Sequence, residues 1–350
     1  MRYHLLKGSE FTKRTRRRAV AGLRRLRQRL DAQIPAKDSE QHLLLATWNI
    51  RDLTKTSRRR LPESLFYLAE VISRFDIVAI QEVNALKEWE RIMYILGPDW
   101  DYIATDEADR ENGGNGERLT YVFDRRKVSF QNIAGELVLP PSALISAETK
   151  TGLQFARTPY VALFQSGWFK FALCTVHIYF GKNYGEKLEQ RRLEIEAVAR
   201  YFGTKSAKEF SEHERTLILL GDFNIISPKH KTMAALEGQG FKIPKALRKK
   251  PSNSKKTSHY DQIAFGTRQE VLEFVDRFCD DPRDCNAGVF DPFESVYRAE
   301  DEERYLKEQN GDQRAFETWR TYEISDHQAM WVRLQVNSSE EYLKSLGAIS

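Results

Sequence analysis

Polar side chains capable of metal and acid–base chemistry recur where apolar runs of this chain end. Asp222 and Asn224 follow the aliphatic run 217–220, and Gly221 lets that predicted strand end abruptly. Residues two apart in an extended segment point the same way, so this carboxylate and carboxamide leave the strand side by side. A turn in which both side chains satisfy backbone amides is the alternative, and the tetrapeptide alone favours neither interpretation.

Other predicted strands also begin or end in polar residues. Strands are predicted at 43–48, 76–82, 117–123, 161–164, 168–176, 217–220, 261–265 and 331–336. The polar residues at strand ends are Asn49, Glu82, His177, Asp222, Asn224, Asp261, Asp326 and His327. Each residue alone is ambiguous, because a lone Glu there is usually a surface residue and a lone His usually packs in the core. Their recurrence at strand termini indicates one shared site.

This set of side chains suits metal-assisted attack on a phosphate ester. Mg²⁺ in proteins is held by one or two carboxylates together with water and substrate oxygens. A carboxylate orients or deprotonates a water, while imidazoles and amides stabilise charge on the phosphoryl oxygens. The sequence therefore predicts a hydrolase that uses Mg²⁺ or Mn²⁺.

The composition is that of a packed globular protein. The 350 residues are 41% hydrophobic, and no segment approaches the ~18 consecutive apolar residues of a membrane span. The basic N-terminus lacks the apolar core of a secretory signal. Of the three cysteines, Cys279 and Cys285 could pair if the protein were exported. Without an export signal, the sequence predicts free thiols in a reducing compartment and a cytoplasmic protein.

A basic amphipathic helix is predicted near the N-terminus. Residues 11–30 contain nine Arg or Lys residues and no acid, within a chain of formal net charge +5. Val20, Leu23, Leu26 and Leu30 recur within it at helical spacing. Such a helix can meet nucleic acid, an acidic membrane surface or the protein's own body.

The rest of the chain is divided by composition. Residues 1–40 are predicted to be a basic helical extension, 41–337 a single domain and 338–350 a tail with a short helix. Further helices are predicted at 62–74, 84–96 and 185–202. Residues 227–258 have a loop-like composition with a second basic run, and the polar segment 266–322 is interpreted as a long insertion.

The order of the polar residues resembles that of the endonuclease/exonuclease/phosphatase superfamily. Five motifs carry the resemblance: Thr47-Trp48-Asn49, Gln81-Glu82-Val83, Thr175-Val176-His177, Gly221-Asp222-Phe223-Asn224 and Ser325-Asp326-His327. They span residues 43–336, which is nearly everything except the N-terminal extension. The resemblance implies an α/β fold, a four-layer α/β/β/α sandwich with two mainly antiparallel sheets and the site at one edge.

The resemblance also implies a role for each metal- and water-binding residue. Glu82, with Asn49 nearby, would be the principal ligand of the divalent metal, and Asp326 would contribute. Asp222 would align or deprotonate the attacking water, and Asn224 would support the pentacovalent phosphorane.

The two histidines receive their roles from the same resemblance. His177 and His327 would contact the scissile phosphate as acid/base or electrostatic groups. Asp261 would orient His327 and fix its tautomer, as other carboxylate–histidine pairs do.

Three details are similar to the pancreatic-type (DNase I-like) deoxyribonucleases. Glu117 resembles the glutamate that braces the first catalytic histidine in those enzymes, and Arg157 resembles their phosphate-contacting arginine. Tyr260-Asp261-Gln262-Ile263 is close to their Tyr-Asp-Arg-Ile. The chain departs from these enzymes in its missing signal peptide, its basic N-terminal helix and its long 266–322 segment.

The sequence thus predicts a metal-dependent endonuclease that hydrolyses phosphodiester bonds in DNA. Basic residues would flank the site and neutralise backbone phosphates, namely Arg58, Arg59, Lys249 and Lys250. One enzymatic alternative is a phosphatase, phosphodiesterase or RNase of the same superfamily. Another alternative is a binding or assembly subunit that meets nucleic acid or a protein partner through residues 13–30. A nuclease whose activity is held off until a partner binds is also compatible with the sequence.

Overall fold

The structure is a computed structural model of the whole chain. It describes residues 1–53, 59–107, 116–146, 152–266, 269–305 and 315–347. Arg58, a predicted substrate contact, lies outside the described residues. So does part of the predicted insertion, residues 267–268 and 306–314.

Within the described residues, twelve strands form two six-stranded sheets. One sheet has the order β11-β12-β1-β2-β4-β3 and the other the order β5-β6-β7-β8-β10-β9. The strands are β1 His42–Asn49, β2 Ile77–Val83, β3 Trp100–Ala104, β4 Arg118–Asp124, β5 Ser129–Glu136, β6 Tyr160–Ser166, β7 Phe169–His177, β8 Arg215–Asp222, β9 Phe241–Lys242, β10 Asp261–Gly266, β11 Ala287–Phe290 and β12 Ala329–Gln335.

Each sheet has one parallel pair of strands at its centre. β1 pairs with β2 and β7 with β8 in parallel, whereas the other strand pairs in both sheets are antiparallel. Central strands covered on both faces read as continuous apolar runs, which is why β1 and β8 are recognisable in the sequence. The predicted architecture of two mainly antiparallel sheets is confirmed.

Helices flank the two sheets. They are α1 Lys13–Gln33, α2 Pro62–Ser73, α3 Leu86–Leu96, α4 Gly185–His213, α5 Lys231–Glu237, α6 Lys245–Arg248, α7 Gln269–Val275, α8 Glu302–Tyr305, α9 Phe316–Glu323 and α10 Ser339–Gly347. Among the described residues, no helix combines the length and the apolar content that crossing a membrane would require.

Alternation along β1 shows how the four layers are built. Leu43 and Leu45 belong to the core that also contains residues of β7 and β8, between the sheets. Leu44, Ala46 and Trp48 face the other way, into a second core that they share with residues of α1 and α2. Because successive side chains of a strand point to opposite faces and both faces of β1 are apolar, each face must be covered. The second sheet covers one face and helices cover the other, which gives the layers of the sandwich.

The predicted loop 227–258 is partly helical, which corrects the interpretation from composition. It contains α5, β9 and α6, because buried apolar residues stand between the lysines. Met233 and Leu236 of α5 and Leu247 of α6 join the core between and around the sheets. The lysines that dominate the composition hide this apolar signal.

Helix α1 packs on the protein's own body. Leu23, Leu26 and Leu30 are buried in the same core as α2, whereas Val20, predicted on the apolar face, is 40% exposed. At Gly22 a Cβ would lie 2.8 Å from Cζ of Tyr67, so glycine permits the close approach of α1 to α2. The division into an extension and a domain stays a prediction.

The described parts of the 266–322 segment contribute regular structure. Strand β11 extends the first sheet by pairing with β12. Tyr305 of α8 and Trp319 of α9 meet the ring of Tyr297 edge-on, and Phe316 stacks on both of them. All four rings belong to the core that contains α1 and α2. Aromatic spacing across short helices gives no periodic signal, so this packing was not predictable from the sequence.

The prediction of three free thiols is wrong. Cys279 and Cys285 form a disulfide with a Cα–Cα distance of 5.1 Å. The turn between them, in which the N–H of Asp284 donates to the carbonyl of Asp281 at 2.9 Å, brings the two cysteines together. Cys174 is free and buried.

Gly221 is expected to be intolerant of any side chain. Its φ is +133°, and a Cβ there would lie 2.8 Å from the backbone nitrogen of Val176 on the neighbouring strand and closer still to its carbonyl oxygen. Gly221→Ala should therefore lower the free energy of unfolding by about 3 kcal/mol in urea titration. Gly135→Ala, where nothing lies within 4 Å, is the matched control and should change it by less than about 1 kcal/mol. Equal effects of the two substitutions would contradict the assigned role of Gly221.

Candidate active site

The candidate site lies at one edge of the sandwich, where the central strands of both sheets end. Asn49 and Glu82 stand at or near the ends of β1 and β2, the parallel pair of the first sheet. In the second sheet Asp222 is paired in register with His177 on one side and Asp261 on the other. Two parallel strand pairs that end at the same edge thus bring five predicted site residues together.

Asp222 is the centre of the cluster and is 1% exposed. Its Oδ2 lies 3.5 Å from Nε2 of His177 and 3.6 Å from Nε2 of His327. The side-chain amide of Asn49 donates to the same oxygen at 3.1 Å. One carboxylate oxygen therefore faces two imidazoles and an amide.

Contacts of this kind keep Asp222 ionised. Burial raises the pKa of its carboxyl, but the charges of His327 and His177 outweigh burial and bring the pKa below its usual value. The other oxygen, Oδ1, accepts the backbone N–H of Asn224 at 2.9 Å. The side-chain amide of Asn224 donates to the carbonyl of Ile178 at 2.8 Å, which leaves its second hydrogen free to donate.

The first histidine is braced by a carboxylate on its far side. Nδ1 of His177 lies 2.6 Å from Oε1 of Glu117, which also forms a buried ion pair with Arg157. Burial opposes ionisation of Glu117, yet His177 and Arg157 together lower its pKa below the usual value. Burial and Arg157 disfavour the imidazolium of His177, but Glu117 and Asp222 raise its pKa overall.

The second histidine has the same arrangement. Nδ1 of His327 lies 2.8 Å from Oδ2 of Asp261. Burial alone would lower the pKa of His327, but the carboxylates of Asp261 and Asp222 raise it well above the usual value. The ring of Tyr260 lies beside it, with centroids 5.5 Å apart. Both histidines thus present Nε2 to Asp222 and keep Nδ1 on a buried carboxylate.

Glu82 is held in an unusual backbone conformation. Its φ is +66°, at an irregularity in the pairing of β2 with β4. A bulge of this kind re-aims a side chain, and a non-glycine residue at positive φ is typical of functional sites. Its Oε1 accepts from the amide of Asn49 at 2.8 Å and its Oε2 accepts the N–H of Asp52 at 2.6 Å.

The donor set fits a divalent cation. Oxygen or nitrogen atoms of Glu82, Glu117 and His177 lie within 4.8 Å of one another, as do those of a second group formed by Asp222, Asp261 and His327. The site contains four carboxylates, those of Glu82, Glu117, Asp222 and Asp261, beside two imidazoles and Arg157. Even if both imidazoles are protonated, the formal charge of the site is −1. Burial, with the charge of Glu117, raises the pKa of Glu82 against the opposing effect of His177. Carboxylate and amide oxygens are the ligands that Mg²⁺ and Mn²⁺ prefer.

Asp326 lies at the rim and is not part of the buried cluster. Its side chain is 41% exposed and pairs with Arg51 at 3.3 Å, and the Arg51 guanidinium stacks 3.9 Å from the ring centroid of Tyr322. Among the described residues, no hydrogen bond or ion pair links Asp326 to Glu82 or Asn49. Its role as a metal ligand stays a prediction.

Three of the predicted basic contacts lie within the described residues. Arg59 is exposed, immediately before the buried Arg60. Lys249 and Lys250 are exposed and precede Ser252, whose hydroxyl accepts the backbone N–H of Asp261 at 2.9 Å. In the described part of the chain, none of these three cations forms a hydrogen bond or ion pair with the cluster itself.

Arg60 is a structural residue that the sequence pattern grouped with surface arginines. Its guanidinium is buried and donates to the carbonyls of Ile50 at 2.6 Å and Arg51 at 2.7 Å. It also donates to the carbonyl of Tyr322 at 2.8 Å. Arg60 therefore ties the loop after β1 to the segment that leads to His327. A triple arginine in the sequence gives no sign of which member is buried.

Helix α4 supplies two further residues that hold the site in place and that the sequence did not indicate. Arg191, fully buried, donates to the carbonyls of Gly181 at 2.6 Å and Asn224 at 3.3 Å. Glu194, one turn further, accepts the N–H of Tyr179 at 3.1 Å, and burial raises its pKa to about 7. These two side chains tie the segment after His177 to the segment after Asp222.

The neighbouring arginines of α4 provide a matched test. Arg191→Ala removes the donor to the carbonyls of Gly181 and Asn224 and leaves a cavity at a fully buried side chain, so it should lower the free energy of unfolding by about 3 kcal/mol. Arg192, which is partly exposed and pairs with Glu189 and Glu196 on the same helix, should cost only about 0.5 kcal/mol when changed to Ala. Urea titration of both variants gives the comparison. A decrease for Arg192→Ala as large as that for Arg191→Ala would contradict the assigned role.

Comparison with known proteins gives matches in structure alone. No family model matches the sequence, and no curated protein matches it. A D. rerio TDP2 humanized by 14 mutations superposes with a TM-score of 0.50 at 12% identity, covering 83% of this chain and 98% of that one. A functionally unknown conserved protein from Enterococcus faecalis V583 gives 0.50 at 15% identity, with 83% and 98% covered. An endonuclease/exonuclease/phosphatase family protein from Bacteroides thetaiotaomicron gives 0.49 at 16% identity, with 85% and 98% covered.

Identities this low show a shared fold. The two six-stranded sheets, the flanking helices and the superpositions on the TDP2 and Enterococcus faecalis structures show that the chain shares their α/β sandwich fold. The fold that the resemblance of the five motifs implies is therefore confirmed.

Proposed function

We propose that this protein is a divalent-metal-dependent phosphodiesterase that hydrolyses the backbone of DNA. The observation that carries the proposal is the symmetric arrangement around Asp222. Two imidazoles lie 3.5 Å and 3.6 Å from its Oδ2, and each imidazole is braced at Nδ1 by a buried carboxylate. A core with a structural role alone would not bury the carboxylates of Glu117, Asp222 and Asp261 around two histidines, since each buried charge opposes folding.

Asp222 would activate the nucleophile. Its depressed pKa keeps the carboxyl ionised, so Oδ2 accepts a proton from a water as the water oxygen attacks phosphorus. The bond between phosphorus and the leaving oxygen breaks in the same displacement. Asn49 donates to Oδ2 and fixes its direction, and the free amide hydrogen of Asn224 is available to the phosphorane oxygens.

The two histidines would stabilise the charge that develops on the phosphoryl group. Their raised pKa values favour the imidazolium, which donates from Nε2 and can supply the proton that the leaving oxygen takes up. Glu117 and Asp261 hold the rings and fix which nitrogen faces the substrate. A Mg²⁺ or Mn²⁺ ion held by Glu82 with Asn49 nearby would supply further positive charge at the phosphate oxygens.

A polymeric substrate is favoured by the charged rim. Arg59, Lys249 and Lys250 are exposed close in sequence to segments that hold the site, and Arg51 stacks on Tyr322 at its edge. Basic side chains around such a site neutralise backbone phosphates and give binding that is independent of sequence and sensitive to salt. The choice of DNA as the polymer rests on this rim and on the resemblance of the motifs to pancreatic-type deoxyribonucleases.

Nicking of supercoiled plasmid with Mg²⁺ or Mn²⁺ tests the proposal, beside an EDTA control. We expect conversion to open circles that EDTA abolishes. A single-stranded RNA of mixed sequence and the small phosphomonoester p-nitrophenyl phosphate serve as competing substrates under the same conditions. Faster turnover of RNA or of the monoester than of plasmid would overturn the assignment to DNA and favour the alternative of an RNase or phosphatase.

A further inference from the structure

Helix α1 carries a solvent-facing row of cations that the fold does not use. Lys13, Arg14, Arg17 and Arg24 are exposed and lie within about 100° of one another around the helix axis, at about 100° per residue. No hydrogen bond or ion pair is formed by these four side chains within the described part of the chain. No acid occurs between residues 11 and 30, so the row is not neutralised from its own helix.

The other arginines of α1 are held by the body of the protein. Each of them contacts an acidic side chain or a backbone carbonyl: Arg16, Arg18, Arg25, Arg27 and Arg29. The acids that flank the helix are also occupied, Glu10 by Arg91 and Asp31 by Arg74. The helix therefore has a docked basic face and a free basic face, and its packing requires only the first.

The free row begins at the end of the molecule that holds the candidate site. Arg18 pairs with Glu63 in the first turn of α2 and Arg27 pairs with Glu70 in its third turn, so α1 and α2 run parallel. Residues 13–17 thus extend about one turn beyond the start of α2. The first residue of α2, Pro62, closely follows Arg60, and the Arg60 guanidinium donates to the carbonyls of Ile50 and Arg51, next to Asn49. The start of α2 therefore lies at the end of the molecule that holds the site.

We propose that the row Lys13, Arg14, Arg17 and Arg24 is a second contact surface for the phosphate backbone of duplex DNA. It spans about 17 Å at about 1.5 Å per residue, over which duplex DNA carries about ten phosphate charges. The surface adds affinity and positions a long substrate, and it takes no part in the chemistry. This inference rests on the proposed function for its ligand.

The test compares Arg14→Ala/Arg17→Ala/Arg24→Ala with wild type in the full chain. Alanine keeps the helix intact because it has the highest helix propensity. Binding of a fluorescein-labelled duplex of about 40 base pairs is followed by anisotropy in EDTA at several salt concentrations. We expect affinity about ten-fold weaker near about 0.1 M salt, and a log–log salt slope smaller by about 0.9 for each phosphate that the variant no longer neutralises. Hydrolysis of bis-p-nitrophenyl phosphate, which is too small to reach α1, should stay at the wild-type rate.

Lys242→Ala/Arg277→Ala/Lys344→Ala is the matched control, since it removes the same charge from exposed positions on other elements. An α1 variant whose affinity and salt slope equal those of this control would overturn the proposal, leaving the row for a protein partner. That result together with plasmid nicking by the wild type would leave the phosphodiesterase intact. Salt-dependent binding that disappears in the α1 variant, with no ester cleaved by the wild type, would support the surface and refute the proposed function.

Discussion

Asp222→Asn is expected to lower the turnover of bis-p-nitrophenyl phosphate about a thousand-fold or more while the protein stays folded. The substitution keeps the shape of the side chain, but a carboxamide cannot accept a proton from the attacking water as the carboxylate does. It also removes the negative charge that the two imidazoles share at 3.5 Å and 3.6 Å. Steady-state kinetics with Mn²⁺ measures the decrease, which should fall on kcat and leave KM within a few-fold.

Asp101→Asn, an exposed carboxylate on β3, is the matched control and should retain wild-type turnover. Thermal unfolding of both variants separates loss of chemistry from loss of structure. A folded Asp222→Asn protein that keeps more than about a tenth of the wild-type kcat would contradict the role of Asp222 as base.

Asp261→Asn is expected to move the alkaline limb of the pH–rate profile to lower pH. His327 faces the carboxylates of Asp261 and Asp222, whose charges, with a smaller effect of Asp326 at the rim, hold its pKa well above the usual value. Activity that needs the imidazolium persists until pH rises through that raised pKa. Without the charge of Asp261 the pKa of His327 falls, so activity is lost at a pH lower by about one unit or more. Profiles of kcat from about pH 5 to about pH 10 measure the shift.

The acid limb provides an internal control for that experiment. It reports protonation of Asp222, whose pKa lies below its usual value, and Asp261→Asn should leave this limb at low pH. Glu273→Gln, at an exposed position of α7, should leave both limbs in place. An alkaline limb that Asp261→Asn does not move would show that the protonation state of His327 does not govern turnover.

The strand ends explain why so much of the site was predictable. In a sheet, the residue at the end of an apolar run has its position fixed by the strand, so Asn49, His177 and Asp222 could be placed without a structure. The contacts of His177 with Glu117 and of His327 with Asp261 followed from the motif resemblance, and the structure places each carboxylate at Nδ1 of its histidine. Patterns along the chain therefore predicted the strands and the polar centre, whereas the two-sheet architecture followed from the motif resemblance.

The residues that hold the site were not predictable. Arg60 and Arg191 look like surface arginines in the sequence, and only tertiary packing determines which guanidinium is buried against backbone carbonyls. Asp326 stands in a predicted motif but turns to Arg51 at the rim. The pairing of Cys279 with Cys285 depends on a local turn, which thiol count and compartment arguments do not describe.

Release of p-nitrophenolate from bis-p-nitrophenyl phosphate by the purified full chain tests the proposed chemistry of the Asp222 cluster most directly. The assay is run with Mg²⁺, with Mn²⁺ and with EDTA, and it asks only whether this cluster hydrolyses a phosphodiester with a divalent cation. We predict turnover with at least one cation, abolished by EDTA and restored by excess cation. Turnover that is unchanged in EDTA, or a folded protein that releases no nitrophenolate with either cation, would contradict the proposal.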